Sequence, residues 1–133
     1  MGIVLNNTTI RKTQMKYRWF SFRGRHSPLA SPSDIEGMGK LQALEEFHLF
    51  DVFIHTYNPG GTGQPTAQLW VWVALSSSDP STSSSAFGWM SVGAGYVCPG
   101  PGVLEGRHLV ITDHGKPAWL SGATVYRRYY RAP

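Results

Sequence analysis

Two aromatic, strongly apolar segments in the middle of the chain constrain its fold more than any other feature. Residues 67–75 alternate aliphatic and aromatic side chains, so that Trp70 and Trp72 lie on one face and the aliphatic residues on the other. Residues 46–57 are apolar on both faces for most of their length. Such segments, rich in β-branched and aromatic residues, are typical of central strands that are covered on both sides. We therefore expect a β-sheet at the centre of the protein.

Further strand signals lie on both sides of this pair, and few helix signals compete with them. The additional strand-like segments are residues 8–22, 86–97, 107–112 and 124–131. Stretches rich in Gly, Pro, Asn, Asp and Ser separate the segments, at residues 58–65, 76–85, 98–102 and 113–117. A short helix is expected near residues 33–44, capped by Ser31 or Ser33.

Six or seven strands and one short helix predict an all-β fold, an antiparallel β-sandwich that is jelly-roll-like. Because 133 residues is the usual size of one domain, we expect a single β-sandwich over residues 1–133. Residues 1–7 are expected to form an extended arm at its start.

The composition fits a β-rich module or an oligomer better than a monomeric helical enzyme. Charged residues make up 15% of the chain, where an ordinary soluble domain has about 25%, so the surface depends on hydroxyls, amides and glycine. Cys98 is the single cysteine, which excludes an intramolecular disulfide and indicates a reducing compartment. No apolar run approaches the ~18 residues of a membrane span, and we predict no membrane partner.

Charge is segregated along the sequence, within a net charge of +4. The first 26 residues carry six basic residues and no acid, residues 34–51 carry five acids and one lysine, and the chain is purely basic after Asp113. This pattern suits a surface that meets a polyanion, or oppositely charged neighbours in an assembly. Cations interleaved with aromatic rings bind single-stranded nucleic acid. The predicted nucleic-acid-binding residues are Arg11, Lys12, Lys16, Arg18, Arg23, Arg25, Arg127, Arg128 and Arg131.

No arrangement of residues predicts catalysis, a metal or a cofactor. Ser91 has neither the spacing nor the strand-to-helix context of a catalytic nucleophile. His48 and His55, placed on one strand by the pattern, would point to opposite faces and share no metal. Cys98 has no neighbouring cation to activate it and is expected to be a small apolar core residue.

Residues 28–80 resemble the shell domain of the coat proteins of small icosahedral RNA viruses, of the tombusvirus and tymovirus kind. The resemblance is one of pattern: a short helix at residues 33–44, a strand running into Tyr57-Asn58-Pro59, and a strand over residues 69–74 followed by a Ser/Asp/Pro loop. It implies a jelly-roll coat protein that assembles with copies of itself into a shell around nucleic acid. The implied locations are the virion and, before assembly, the host cytoplasm.

Two other functions fit the same residues. A carbohydrate-binding, lectin-like β-sandwich would use Trp70, Trp72, Trp89 or Trp119 as a stacking platform, although tryptophans also simply fill cores. A nonspecific RNA-binding or virus movement protein would use the basic segments without forming a shell.

Overall fold

The computed structural model describes residues 3–10, 15–24, 27–35, 37–44, 46–59, 65–75 and 86–129. The chain divides into two compact units, Met1–Val92 and Gly93–Pro133. The described residues contain eight strands, two short α-helices and one 3₁₀ helix. The predicted all-β class is confirmed at this level: the structure consists mostly of strands, in one mixed sheet and one antiparallel sheet.

The first unit is a five-stranded sheet with a helical crossover. Its elements are β1 (Val4–Thr9), β2 (Lys16–Arg23), a 3₁₀ helix (Pro32–Asp34), α1 (Met38–Leu44), β3 (Val52–Tyr57), β4 (Thr66–Leu75) and β5 (Ala86–Val92). The strands lie side by side in chain order. The pairs are antiparallel except for β2 and β3, which run parallel. Parallel neighbours need a long connection, and here the 3₁₀ helix and α1 supply it. The sequence predicts antiparallel pairing throughout, and that prediction is wrong for β2 and β3.

The helical crossover confirms the short helix predicted near residues 33–44. The Ser31 hydroxyl accepts the Ser33 N–H at 3.2 Å, which caps the 3₁₀ helix. Ile35 and Met38 are buried, as their spacing predicted, but Leu44 at the end of α1 is 83% exposed. One side of the crossover therefore packs into the core, and its last residue does not.

The core of the first unit is aromatic and is centred on β2, β3 and β4. Phe20, Phe53 and Trp70 are fully or almost fully buried and pack with Met38 and Phe47. The opposite face of the same strands is buried as well; its residues include Val52, Ile54, Leu69 and Val71. The prediction that the two central segments are covered on both faces is confirmed. Each large side chain buried here contributes about 1.5–3 kcal/mol to folding.

The strand predicted over residues 46–57 is half as long as expected. Only β3, Val52–Tyr57, is a strand, and residues 46–51 form a loop before it. The placement of His48 and His55 on one strand was therefore wrong, because His48 lies in the loop. Residues 4–7, expected as part of an extended arm, belong to β1 and pair with β2.

The second unit is a three-stranded antiparallel sheet followed by a helix. Its elements are β6 (Tyr96–Val97), β7 (His108–Ile111), β8 (Pro117–Leu120) and α2 (Gly122–Tyr129). The turn predicted at residues 113–117 is confirmed, since the Gly115 N–H donates to the Thr112 carbonyl at 2.9 Å between β7 and β8. Val110, Ala118 and Val125 form the core of this unit.

The strand predicted over residues 124–131 was wrong, because residues 122–129 form α2. The Ser121 hydroxyl accepts the Thr124 N–H at 3.3 Å, and the Val125 N–H donates to the Ser121 carbonyl at 3.0 Å. This N-terminal cap satisfies backbone donors that a helix otherwise leaves open. The helix buries Val125 and leaves Tyr126 exposed, so the cap and one buried contact outweigh the strand preference of valine and tyrosine.

Candidate functional site

Loop 46–51 is fixed by one buried carboxylate. Asp51 is 4% exposed and forms a two-bond ion pair with Arg18, whose Nε donates to Oδ1 at 3.3 Å and whose Nη2 donates to Oδ2. The His48 N–H donates to the same Oδ2 at 2.7 Å, and Arg18 Nη2 also donates to the Glu46 carbonyl at 2.6 Å. Two-bond arginine–carboxylate pairs fix geometry as well as charge. The ion pair therefore ties the loop to β2.

The backbone of the loop is strained and is also tied to β4. Phe50 has φ of 68°, a left-handed conformation that is unfavourable for a bulky residue. Its N–H donates to the Trp72 carbonyl at 2.8 Å, and the Trp72 N–H donates to the Asp51 carbonyl at 2.9 Å. Such strain persists only where the surroundings determine it, and it is concentrated at functional sites. The loop is thus a preorganised part of the molecule.

An open groove of about 510 Å³ lies along this loop, and we call it the aromatic groove. It is lined by Gln42, Glu46, Phe47, His48, Leu49, Trp72 and Phe87. The rings of Phe47 and Trp72 meet edge to face at 4.9 Å. Leu49 and Phe87 are 48% and 46% exposed, so the groove presents apolar surface to solvent.

The polar residues of the aromatic groove set its charge. Glu46, Gln42 and His48 are all exposed. Among the described residues of the lining, Glu46 is the only carboxylate and there is no lysine or arginine. Its backbone carbonyl is used by Arg18, but its carboxylate joins no ion pair within the described part of the chain. The groove therefore fits a partner with an apolar ring or chain and a positive charge.

The described basic residues of β2 do not form one exposed basic face. Lys16 and Arg23 are exposed but lie at opposite ends of β2, seven residues apart, so they point to opposite faces. Arg18 is held by Asp51. Arg127 is exposed on α2, and Arg128 lies in the same helix, but its side chain falls outside the described residues. Four predicted residues fall wholly outside them: Arg11, Lys12, Arg25 and Arg131.

The tryptophans proposed as a stacking platform divide into two groups. Trp70 and Trp119 are each 2% exposed and fill cores. Trp72 and Trp89 are partly exposed and pack against each other at 5.0 Å. Of the four, only Trp72 lines the aromatic groove. A stacking role is therefore available to Trp72, with Phe87 beside it.

Cys98 and Tyr96 share a region of the second unit. Cys98 is buried, and burial raises the pKa of its thiol, with the Glu105 charge adding to the increase and a hydrogen bond from the Gly100 backbone opposing it. Burial, followed by the charge on Cys98, raises the pKa of Tyr96. A protonated, covered thiol is a poor nucleophile. The location of Cys98 agrees with the apolar core role expected from the sequence.

The aromatic groove was not predicted, although one signal for it was present. Asp51 interrupts an apolar run, and a buried carboxylate needs a partner that a regular strand does not provide. Glu46 and His48, which the sequence pattern places in a strand over residues 46–57, are instead groove residues. The groove also needs Phe87, which is distant in sequence and adjacent only through pairing of β4 with β5.

Comparison with protein-family models, with curated proteins and with solved structures finds no match to this chain. Among the described residues, no helix has the length and apolar character needed to cross a membrane. The same residues contain no group of three or more His, Cys, Asp or Glu side chains placed to hold a metal ion. A proposal for the function of this chain therefore rests on the geometry of the site.

Proposed function

We propose that this chain is a structural protein that assembles with copies of itself into a shell around nucleic acid, like the small icosahedral virus coat proteins that it resembles. The observation that carries the proposal is the edge strand β1. Within the described residues β1 pairs on one side only, with β2. Its sequence, Val-Leu-Asn-Asn-Thr-Thr, contains no charge and no proline. Proteins that remain monomeric usually protect such edges with charges, prolines or bulges.

An exposed edge of this kind is complementary to itself. Val4 and Leu5 are exposed apolar residues on opposite faces of β1. Two copies of β1 in antiparallel register would join two sheets through backbone hydrogen bonds. An asparagine of one copy, Asn6 or Asn7, would then lie opposite an asparagine of the other copy. The Asn6 side chain donates to the Val4 carbonyl within the same strand at 3.2 Å. The resulting contact is two-fold symmetric, the commonest symmetry of oligomers.

The proposal includes a jelly-roll-like β-sandwich formed by the chain as one domain. Burial on both faces of β3 and β4 supports a layered fold. The parallel pairing of β2 with β3 departs from the antiparallel neighbours of a jelly roll. In this proposal the crossover through α1 is therefore an addition to the shell fold.

Nucleic acid would be held by electrostatic contacts without base specificity. Lys16, Arg23 and Arg127 are the described, exposed cations from the predicted set. Because Lys16 and Arg23 lie at opposite ends of β2 and point to opposite faces, many copies in an assembly, and not one copy alone, would form the basic surface. The proposed locations are the virion and, before assembly, the host cytoplasm.

Size-exclusion chromatography with light scattering, at low and high salt, tests this function. We expect species far heavier than one chain, which carry added single-stranded RNA at low salt and release it as salt rises. A species with the mass of one chain under all conditions contradicts the proposal. Large species that never retain RNA contradict its nucleic-acid part alone.

A second candidate function is saccharide binding, favoured by the lining of the aromatic groove. Trp72 and Phe87 would stack on a sugar ring while Gln42 and Glu46 hydrogen-bond its hydroxyls. Titration of tryptophan fluorescence with neutral oligosaccharides tests it. A saturable change that Phe87→Ala removes supports a lectin-like module, and an unchanged spectrum with a range of oligosaccharides contradicts one.

A further inference from the structure

A shell needs more than one kind of contact between its subunits. A two-fold contact through β1 closes at two copies, and growth beyond a dimer requires a second, head-to-tail contact between different surfaces. This inference rests on the proposed function. The two surfaces must then be complementary in shape and charge.

The aromatic groove has the properties of one such surface. Leu49 and Phe87 give it an exposed apolar rim, and Glu46 is the one charged side chain among its described lining residues. Loop 46–51 is already fixed by the Asp51–Arg18 pair. A preformed groove loses little entropy on binding.

The exposed side of α2 has the complementary properties. Ala123, Tyr126 and Arg127 lie at positions i, i+3 and i+4, which places them on one side of the helix, and all three are exposed. Tyr126 is 65% exposed. Ala123 allows close approach of the helix, Tyr126 provides a ring, and Arg127 provides a charge that joins no ion pair within the described chain.

We propose that α2 of one copy docks in the aromatic groove of the next. Tyr126 would pack against Trp72 and Phe87, and the Arg127 guanidinium would pair with the Glu46 carboxylate. Charge complementarity selects a second copy as the occupant, because the groove is acidic and the chain carries a net charge of +4. Aromatic residues and arginine are also the residue types enriched at the centre of protein interfaces.

Charge reversal tests the contact through the mass of the assembly. Glu46→Arg and Arg127→Glu each place like charges together, so each is expected to raise the concentration needed for large species by about tenfold or more. These variants should stop at species no larger than a dimer. The double variant Glu46→Arg/Arg127→Glu restores opposite charges and should recover large species. Light scattering over a concentration series measures the shift.

Matched variants separate this contact from a general effect of charge. Asp34→Arg and Lys116→Glu make the same charge changes at exposed residues outside the groove and α2, and we expect wild-type assembly from both. Circular dichroism shows whether each variant is folded. If Glu46→Arg and Arg127→Glu are both folded and both still form large species, the contact between α2 and the groove is overturned but the proposed function is not. A wild-type chain that stays monomeric overturns both the contact and the proposed function. If the groove binds oligosaccharide and the charge reversals leave assembly unchanged, the groove is a saccharide site and the contact is overturned.

Discussion

Asp51 is the residue on which the candidate site most depends. It is buried, it pairs with Arg18 in β2, and it accepts the His48 N–H that closes loop 46–51. A buried ion pair adds little net stability, but the loss of one partner leaves the other uncompensated. Arg18 therefore serves the loop, and its loss should affect folding more than nucleic-acid binding.

Asp51→Ala is expected to lower the free energy of unfolding by about 3–5 kcal/mol, because the Arg18 guanidinium is left without its carboxylate. Urea unfolding followed by tryptophan fluorescence measures the change. Asp34→Ala removes an exposed carboxylate and should change stability by less than about 0.5 kcal/mol. Equal losses in both variants would show that Asp51 has no special structural role.

Gly24 is a position where a side chain does not fit. A Cβ atom at Gly24 would lie 1.9 Å from His55 Nε2, and the His55 ring is buried, stacked on Tyr57 at 5.2 Å and bonded through Nδ1 to Gln68 Oε1 at 2.9 Å. Gly24→Ala should therefore destabilise the fold by about 1–3 kcal/mol.

The matched control for this substitution is Gly39→Ala in α1, where an added Cβ meets nothing within 4 Å. Alanine is the better helix former by about 0.8–1.0 kcal/mol, so this variant should gain stability. Thermal unfolding of both variants gives the comparison. A Gly24→Ala protein as stable as the wild type would contradict the described packing around His55.

The raised pKa of the Cys98 thiol should make the stability of the fold depend on pH. Burial raises the pKa of its thiol in the folded state, so the unfolded chain loses this proton at lower pH, near the ordinary value of about 8.5. The contribution to stability is complete below that pH and is lost as the pH rises toward the folded pKa. Urea unfolding at a series of pH values should show stability falling above about pH 8.5. Cys98→Ala should flatten this slope between about pH 8.5 and 10. An unchanged slope in that range would contradict this role of Cys98, because the raised pKa of Tyr96 places its effect above about pH 10.

At the scale of secondary structure, prediction from sequence succeeded where local pattern and burial agree. β4 was predicted over residues 67–75 and spans Thr66–Leu75, because residues apolar on both faces suit only a central strand. The helical crossover was predicted for a similar reason, through its cap and its buried Ile35 and Met38. In both elements the information lies within about ten residues.

Prediction failed where distant contacts decide the structure. β1 is polar, and it is a strand because it pairs with β2. β8, Pro117–Leu120, was not predicted, and it forms by pairing with β7. α2 is a different case, because its composition is that of a strand and a local cap, the Ser121 hydroxyl, makes it a helix. The aromatic groove combines a strained loop with Phe87 from β5, and no local pattern contains both.

β1 provides a test of assembly at the same scale. Asn7→Lys adds a charge to the exposed edge strand, and charges on an edge prevent pairing with another chain. We expect this variant to lose dimers in sedimentation velocity while it keeps its fold. Thr66→Lys adds the same charge at an exposed residue of β4, an inner strand, and should assemble like the wild type.

At the scale of the whole molecule, few charges and much exposed apolar surface favour association over solution as a monomer. Five of the ten exposed large apolar residues in the described part of the chain lie on the three surfaces proposed to contact other copies: Val4, Leu5, Leu49, Phe87 and Tyr126. A chain with 15% charged residues has little charge to keep such surfaces apart. The proposed assembly would cover these five residues, which lie outside the cores of the two units.

Negative-stain electron microscopy of the purified chain, with and without single-stranded RNA, tests self-assembly most directly. The proposed function predicts closed particles of uniform diameter, each built from many copies of the 133-residue chain. Fields that contain only single small molecules, at every concentration and with RNA present, would contradict it.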